Sequence, residues 1–203
     1  SQVGIAKISI KFTSDQIRDN LRLFGFGEYL NLNWIRNNNG RMVDTATLPD
    51  IDKASLGYGY GLTSNLLQLA RAYSVFANEG VMIEPKLLTE EASIRKRVLT
   101  KSNASFVLDS LRMTVTDGTA SNLKDLDVEI AGKTGTSEKY LEGVGYASEQ
   151  YVSSFASIFP VKKPKFIMIV SIDEPDPNNY FGGEVSAPVV ARMTKFMKRL
   201  KYL

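Results

Sequence analysis

Three segments in the last third of the chain have the pattern of β-strands, and they constrain the fold most. Residues 127–136, 151–159 and 165–172 are rich in β-branched and aromatic side chains. A polar loop reaching Gln150 follows the first segment, Pro160 ends the second, and a short turn at 162–164 precedes the third. Consecutive strands with short connections pair antiparallel. The sequence therefore predicts an antiparallel meander.

Helical periodicity surrounds these strands. Apolar residues recur at helical spacing within 3–12, 17–24, 66–77 and 106–115, and a terminal helix starts at 186–188. The predicted N-caps are Thr13 or Ser14, Thr63, and Ser102 or Asn103. Phe106, Val107, Leu111 and Val115 are predicted on a buried helix face. Residues 27–55 are predicted as a long irregular segment with a turn at 37–40.

These patterns predict an α+β fold in which helices pack on an antiparallel sheet. A chain of 203 residues suits one domain or a large part of one. Its first residues have the character of mid-domain sequence. We therefore expect residues 1–203 to be the carboxy-terminal part of a single domain in a longer protein.

The chain contains no histidine and no cysteine. This excludes a Ser-His-Asp triad, a cysteine nucleophile and a His/Cys zinc site within these residues. Any acid or base must be Lys, Asp, Glu or Tyr, and we predict no metal and no cofactor. The local basic clusters are interpreted as solvated faces, so nucleic acid is not a predicted partner.

The first strand segment delivers Lys133, Thr134, Gly135 and Thr136 in succession. One ammonium and two hydroxyls on a strand suit an anionic ligand, and a glycine within a strand often marks close approach to the backbone. An ordinary solvated strand is the alternative at this point. The glycines at 57, 59 and 61 match neither common phosphate-binding fingerprint, so we interpret them as a tight bend.

Several motifs together resemble the transpeptidase domain of class B penicillin-binding proteins. They are T-V-T-D-G-T-A, A-G-K-T-G-T-S, Y-V-S-S-F-A-S-I-F-P and Y-F-G-G-E-V-S-A-P, in that order. The segment G-Y-G-Y-G-L-T-S-N-L-L-Q-L-A is similar to another motif of the family and favours its division-specific, FtsI-type branch. The resemblance covers almost the whole chain and is weakest between Glu28 and Lys53.

The resemblance implies a serine D,D-transpeptidase that cross-links septal peptidoglycan and is acylated by β-lactams. Of the family's three motifs, only K-T-G is complete here. Ser1 aligns with the middle of S-x-N and Gln2 with its asparagine, so the nucleophile of S-x-x-K is expected upstream of Ser1. Ser93-Ile94-Arg95-Lys96 satisfies S-x-x-K formally, but its position in the chain and its charged surroundings predict a surface segment.

The resemblance also implies roles for individual residues. Lys133 and Thr136 are expected to be catalytic: Lys133 supplies positive charge, and the Thr136 N–H is one oxyanion donor. Substrate binding is expected from Gln2, Thr134, Gly135, Tyr151, Tyr180 and Phe181. The three aromatic residues are expected to form a wall beside the cleft, with simple packing as the alternative.

The implied partners are peptidoglycan stem peptides ending in D-Ala-D-Ala, β-lactam antibiotics, and division proteins including a glycosyltransferase. The implied location is the periplasmic face of the bacterial inner membrane, with the anchor outside this chain. Two alternatives stay open. One is a serine β-lactamase or β-lactam sensor of the same fold, and the other is a non-catalytic binding or scaffold fragment.

Overall fold

The structure is a computed structural model that describes residues 1–30, 32, 37–42, 47–141, 143 and 145–203. Its contacts divide the chain into two compact units. Unit 1 comprises Ser1–Ala72 and Met82–Val98, and unit 2 comprises Tyr73–Val81 and Leu99–Leu203. That residues 1–203 are part of a single domain stays a prediction. Among the helices of the described residues, none is both long and apolar enough to cross a bilayer.

Unit 1 contains the helices α1 (Gln2–Ser9), α2 (Ser14–Leu23) and α3 (Asp50–Gly57). Thr13 begins α2: its hydroxyl accepts from Gln16 N at 3.2 Å, and the Gln16 side chain accepts from Thr13 N at 2.9 Å. This reciprocal pair is a capping box. The predictions of the first helix and of the Thr13 cap are confirmed. The chain leaves α2 at Gly25, which has a φ of +83°.

The prediction of an irregular segment over residues 27–55 is wrong for its last residues, because the helix α3 occupies Asp50–Gly57. The predicted turn at 37–40 is confirmed by Gly40, whose N–H donates to Asn38 Oδ1 at 2.8 Å and whose φ is +70°. Residues 31, 33–36 and 43–46 of this region lie outside the described residues.

The helix α4 (Leu66–Ala77) follows the glycine-rich segment. Asn65, not Thr63, caps it: Gln68 N donates to Asn65 Oδ1 at 2.8 Å, and Asn65 N donates to Gln68 Oε1 at 3.0 Å. Thr63 instead forms an isolated bridge with Arg41. The short strands β1 (Val81–Ile83) and β2 (Arg95–Arg97) form a two-stranded sheet.

The sheet of unit 2 consists of β3 (Ala131–Leu141), β4 (Gly145–Phe159) and β5 (Phe166–Asp173), antiparallel in the order β3-β4-β5. The predicted meander is confirmed. Two boundaries are wrong: β3 starts at Ala131 rather than Asp127, and residues predicted as a loop to Gln150 extend both strands. Backbone pairing reaches Leu141 and Gly145, with an irregularity between Glu138 and Tyr140.

Helices α5 (Lys101–Thr116), α6 (Gly182–Val185) and α7 (Ala187–Arg199) complete unit 2, with a 3-10 turn at Ser121–Leu123. Their apolar residues meet those of the sheet in one buried cluster: Val115, Ala120, Leu123, Ile130, Phe155, Phe159, Ala187 and Val190. The α+β prediction is confirmed, as is the start of the terminal helix, with proline in its first turn.

Two predictions about α5 are wrong. Thr100 caps this helix, since its hydroxyl accepts from Asn103 N at 3.2 Å, in place of the predicted Ser102 or Asn103. Phe106 is 74% exposed, whereas Ala104 and Val115 are buried. The buried stripe therefore passes through Ala104, and Phe106 lies two residues away on a different side of the helix.

Candidate active site

The strand β3 carries Lys133, Thr134, Gly135 and Thr136 at an edge of the described three-stranded sheet. Its start is fixed by packing. A side chain at Gly132 would place Cβ 2.6 Å from Ala156 O and 2.6 Å from the Phe155 ring, so only glycine allows this approach. The neighbouring strand β4 therefore holds the Lys133–Thr136 segment close to the core.

Alternation along β3 divides the four residues between the two faces of the sheet. Thr134 and Thr136 are opposite the buried Phe155 and Ser153, whereas Lys133 and Gly135 are opposite Ala156 and Ser154. A ligand lying along the edge of β3 can reach groups from both faces. A ligand lying on one face alone cannot, so the edge is the surface that unites them.

The ammonium of Lys133 is exposed and donates to Thr134 O at 3.0 Å. This short bond lies along the strand and uses one of three donors, so the charge stays at the strand edge and two N–H groups are left to bind other acceptors. The structure thus holds the ammonium beside the Thr134 backbone, and its catalytic role stays a prediction.

Both threonine hydroxyls on β3 have partners from other elements of unit 2. Thr134 Oγ1 lies 2.6 Å from Thr119 Oγ1, on the connection after α5. Thr136 Oγ1 accepts from Gly182 N, the first residue of α6, at 3.1 Å. Sequence reasoning missed Thr119 and Gly182 as supports of the site, although both lie within motifs that carry the resemblance.

A side chain at Gly135 would place Cβ 2.5 Å from Ser154 Oγ on the neighbouring strand. The space above the backbone at Gly135 is therefore narrow on the Ser154 side. Because Gly135 is half-buried and has no side chain, the backbone itself forms the surface there. That a substrate approaches the backbone at Gly135 stays a prediction from the sequence.

Tyr151, Tyr180 and Phe181 form one aromatic cluster. The rings of Tyr151 and Tyr180 stack with centroids 3.8 Å apart, and those of Tyr180 and Phe181 are 4.5 Å apart. Ser153 Oγ donates to Tyr180 O, which ties this segment to β4. Burial, followed by the hydrogen bond with Tyr180, raises the pKa of Tyr151. The structure brings the predicted aromatic residues together, and Phe181 is 53% exposed.

Lys139 links the far end of β3 to the end of β5, and no sequence pattern indicated it. Its Nζ lies 2.7 Å from Glu174 Oε1 and 3.1 Å from Asp173 Oδ1. Hydrogen bonding to Glu174 and then to Asp173 raises the pKa of Lys139. Glu174 N in turn donates to Tyr151 O at 2.9 Å, so this ion pair adjoins the aromatic cluster.

Two predicted features lie in unit 1. Gln2 is exposed on the first turn of α1, where Ser1 Oγ accepts from Gly4 N at 3.3 Å. Ser93 and Lys96 are exposed, in agreement with the surface segment predicted for them. The chain contains a second S-x-x-K, Ser121-Asn122-Leu123-Lys124, for which no role was predicted. It lies on the 3-10 turn, where Ser121 and Lys124 are exposed.

Comparison with known proteins relates this geometry to a family. The family model described as the penicillin binding protein transpeptidase domain matches residues 1–195. The probable peptidoglycan D,D-transpeptidase PenA of Neisseria gonorrhoeae is 31% identical over 192 residues, which cover 93% of this chain and 32% of that protein. The peptidoglycan D,D-transpeptidase FtsI of Buchnera aphidicola is 31% identical over 207 residues, covering 99% and 36%.

A solved structure gives the same relation. The apo transpeptidase domain of penicillin-binding protein 3 from Burkholderia pseudomallei matches with a TM-score of 0.87 and 29% identity, over 98% of this chain and 62% of that one. The chain spans about a third of the length of the two curated relatives.

Proposed function

Because the chain belongs to the penicillin-binding protein transpeptidase family, we propose that it is the carboxy-terminal part of a peptidoglycan D,D-transpeptidase. The reaction forms peptide cross-links between stem peptides through an acyl-serine intermediate. The observation that supports this most directly is the edge strand β3, where Lys133, two hydroxyls and the bare backbone of Gly135 lie together.

Thr134 and Thr136 bind the terminal carboxylate of the donor stem peptide, or the carboxylate of a β-lactam that mimics it. Each hydroxyl has one hydrogen to donate, and a carboxylate accepts from both. Lys133 adds a positive charge beside them, which favours an anion at this edge. The ligand backbone lies along the strand edge at Gly135, which carries no side chain of its own.

The nucleophilic serine and its lysine are supplied by sequence outside residues 1–203. The serine oxygen attacks the carbonyl carbon of the penultimate D-Ala, and the bond to the nitrogen of the terminal D-Ala breaks. The proton lost by the serine passes to that leaving nitrogen. An amine of the acceptor peptide then attacks the ester, which forms the new amide and returns a proton to the serine oxygen.

Lys133 lowers the cost of these proton transfers because its positive charge stabilises the deprotonated serine oxygen. The Thr136 N–H donates to the carbonyl oxygen as it becomes an oxyanion, with the N–H of the nucleophilic serine as the second donor. Removing one such donor typically costs about 3–4 kcal/mol of transition-state stabilisation. Gln2 takes the place of the family's usual asparagine as a substrate-binding side chain.

The aromatic cluster of Tyr151, Tyr180 and Phe181 forms one wall of the cleft and contacts the apolar part of the ligand. Phe181 offers the exposed surface for this contact. The likeness to an FtsI protein supports action in septal peptidoglycan synthesis with division proteins, including a glycosyltransferase. The enzyme acts at the periplasmic face of the inner membrane, with its anchor outside these residues.

Labelling with a fluorescent penicillin tests the proposal. We expect the full-length protein to retain the label through denaturing electrophoresis, because the acyl-serine ester is covalent, and a β-lactam added first should block labelling. The 203-residue chain alone should stay unlabelled. Labelling of the chain alone would show that its nucleophile lies within residues 1–203, and a full-length protein without label would refute the transpeptidase assignment.

A serine β-lactamase is distinguished in the same experiment. It would hydrolyse the acyl-enzyme within the assay, so the label would be lost and free penicilloate would accumulate. We expect a stable adduct and a molar amount of product no greater than that of the enzyme.

A further inference from the structure

We propose that Thr119 is a positioning residue that directs the hydroxyl hydrogen of Thr134 towards the ligand carboxylate. This inference rests on the proposed function of β3. It assigns a role to a side chain that lies 15 positions before Thr134 and outside the K-T-G-T strand. The observation behind it is the 2.6 Å distance between the two hydroxyl oxygens.

Each of these hydroxyls has one hydrogen, so the pair contains a single donor and a single acceptor in their mutual bond. If Thr134 donated, its hydrogen would be used, and its lone pairs would face an incoming anion. A carboxylate only accepts hydrogen bonds, so that arrangement is repulsive. With a carboxylate bound, Thr119 therefore donates to Thr134, and the Thr134 hydrogen points to the ligand.

The same count of donors and acceptors applies to the hydroxyl of Thr136, which has a different partner. Gly182 N can only donate, so Thr136 Oγ1 is the acceptor in their 3.1 Å bond. The hydrogen of Thr136 is thus free for the ligand. Thr119 and Gly182 each occupy a lone pair of a β3 hydroxyl, and both hydroxyls are left as donors to one carboxylate.

Thr119 is held in place by backbone packing, which a positioning residue requires. A side chain at Gly183 would collide with Thr119 O and would lie 3.1 Å from Thr119 C. Asn122 Nδ2 donates to Gly183 O at 2.8 Å, and this hydrogen bond stabilises the contact between Thr119 and Gly183. The connection after α5 and the start of α6 therefore meet next to Thr134, whose Cγ2 would lie 3.5 Å from a Cβ at Gly183.

The role predicts selectivity for a free carboxylate. A hydroxyl that accepts one hydrogen bond becomes a stronger donor in the next. A neutral ester in place of the carboxylate is a weaker acceptor, because charge-assisted hydrogen bonds are about twice as strong as neutral ones. Loss of Thr119 should therefore weaken the reaction with a carboxylate ligand more than the reaction with its ester.

The test measures the second-order rate constant of acylation of the full-length protein by benzylpenicillin and by benzylpenicillin methyl ester. Thr119→Val keeps the side-chain shape and removes the hydroxyl. We expect it to slow acylation by the acid about three- to tenfold, the equivalent of one hydrogen bond. Acylation by the ester should change less than about twofold, and Thr119→Ser should restore the wild-type rate with the acid.

The matched control is Thr116→Val, which removes a hydroxyl three positions away that donates to Asp117 Oδ2 at 2.5 Å. It should leave both rates unchanged. An equal loss with acid and ester, or an unchanged or faster reaction of Thr119→Val with the acid, would overturn the inference while the proposed function stands. A wild-type protein that is not acylated at all would refute the proposed function, and this inference with it.

Discussion

Replacing Gly182 by alanine tests how closely α6 packs on the strand that carries the site. A Cβ at this position would lie 2.5 Å from Gly135 O and 3.2 Å from Gly135 N, both of them backbone atoms of β3. An ordinary carbon–oxygen contact requires α6 to withdraw by about 1 Å. The 3.1 Å bond from Gly182 N to Thr136 Oγ1 would then stretch to about 4 Å, which is beyond hydrogen-bond range.

The expected cost combines overpacking and the lost hydrogen bond. Overpacking of a close contact typically costs about 1–3 kcal/mol, and the hydrogen bond adds about 1 kcal/mol. We therefore expect Gly182→Ala to lower the stability of the full-length protein by about 2–4 kcal/mol. The midpoint of thermal unfolding, followed by differential scanning calorimetry, should fall by several degrees, and acylation by benzylpenicillin should slow.

Gly4→Ala is the matched control, because Gly4 lies within α1 and its Cβ would meet nothing closer than Ser1 Cβ at 3.6 Å. Alanine is favoured over glycine in a helix by about 0.5–1 kcal/mol, so the midpoint should stay constant or rise. If Gly182→Ala unfolds and reacts like the wild type, the close packing of α6 on β3 is wrong.

Three further changes test other parts of the molecule. Lys139→Met removes the ion pair with Glu174, and we expect a lower unfolding midpoint and slower acylation at pH 7. Because this pair raises the pKa of Lys139, its stabilisation is complete below the ordinary lysine pKa and is lost as pH rises through the raised value; a midpoint difference that persists above both values would contradict this. Asp127→Asn removes the 2.7 Å contact with Lys198 Nζ. The hydrogen bond and charge of Lys198 lower the pKa of Asp127, so the stabilisation is present above the ordinary aspartate pKa and is lost as pH falls through the lowered value. Unfolding midpoints of variant and wild type should differ at pH 7 and converge in acid, and a constant difference would refute the assigned partner. Ser93→Ala should retain full penicillin labelling because Ser93 is an exposed surface residue, and lost labelling would identify it as the nucleophile.

Much of the fold was predictable because its strongest signals are local. Thr13 and Gln16 are close in sequence and form a capping box without help from tertiary contacts. The apolar pattern of β5 and the proline in the first turn of α7 likewise act within their own elements. The meander and the terminal helix followed from these signals.

The errors occur where tertiary contacts override local pattern. The residues that extend β3 and β4 towards their hairpin are mostly polar, and their composition predicts a loop, yet backbone pairing resumes after an irregularity at Glu138 and reaches Leu141. The N-cap of α4 depends on the pairing of Asn65 with Gln68, and Thr63 is occupied by its bridge to Arg41. Which residue caps a helix therefore depends on the hydrogen-bond partners that each candidate has in the folded chain.

The centre of the site was predictable because its four residues are consecutive in sequence. The residues that hydrogen-bond to this centre from other segments were not predictable. Thr119 and Gly182 reach β3 from segments 15 and 46 positions away from their partners. Neither spacing has a periodicity, so only the folded structure reveals that the β3 hydroxyls are already hydrogen-bonded by other segments.

A crystal structure of the full-length protein acylated by benzylpenicillin tests the central claim most directly, namely that the edge of β3 binds the ligand carboxylate. We expect a serine ester from a residue outside 1–203. The ligand carboxylate should lie about 2.5–3.0 Å from the hydroxyl oxygens of both Thr134 and Thr136. An adduct within residues 1–203, or a carboxylate bound away from both hydroxyls, would contradict the account.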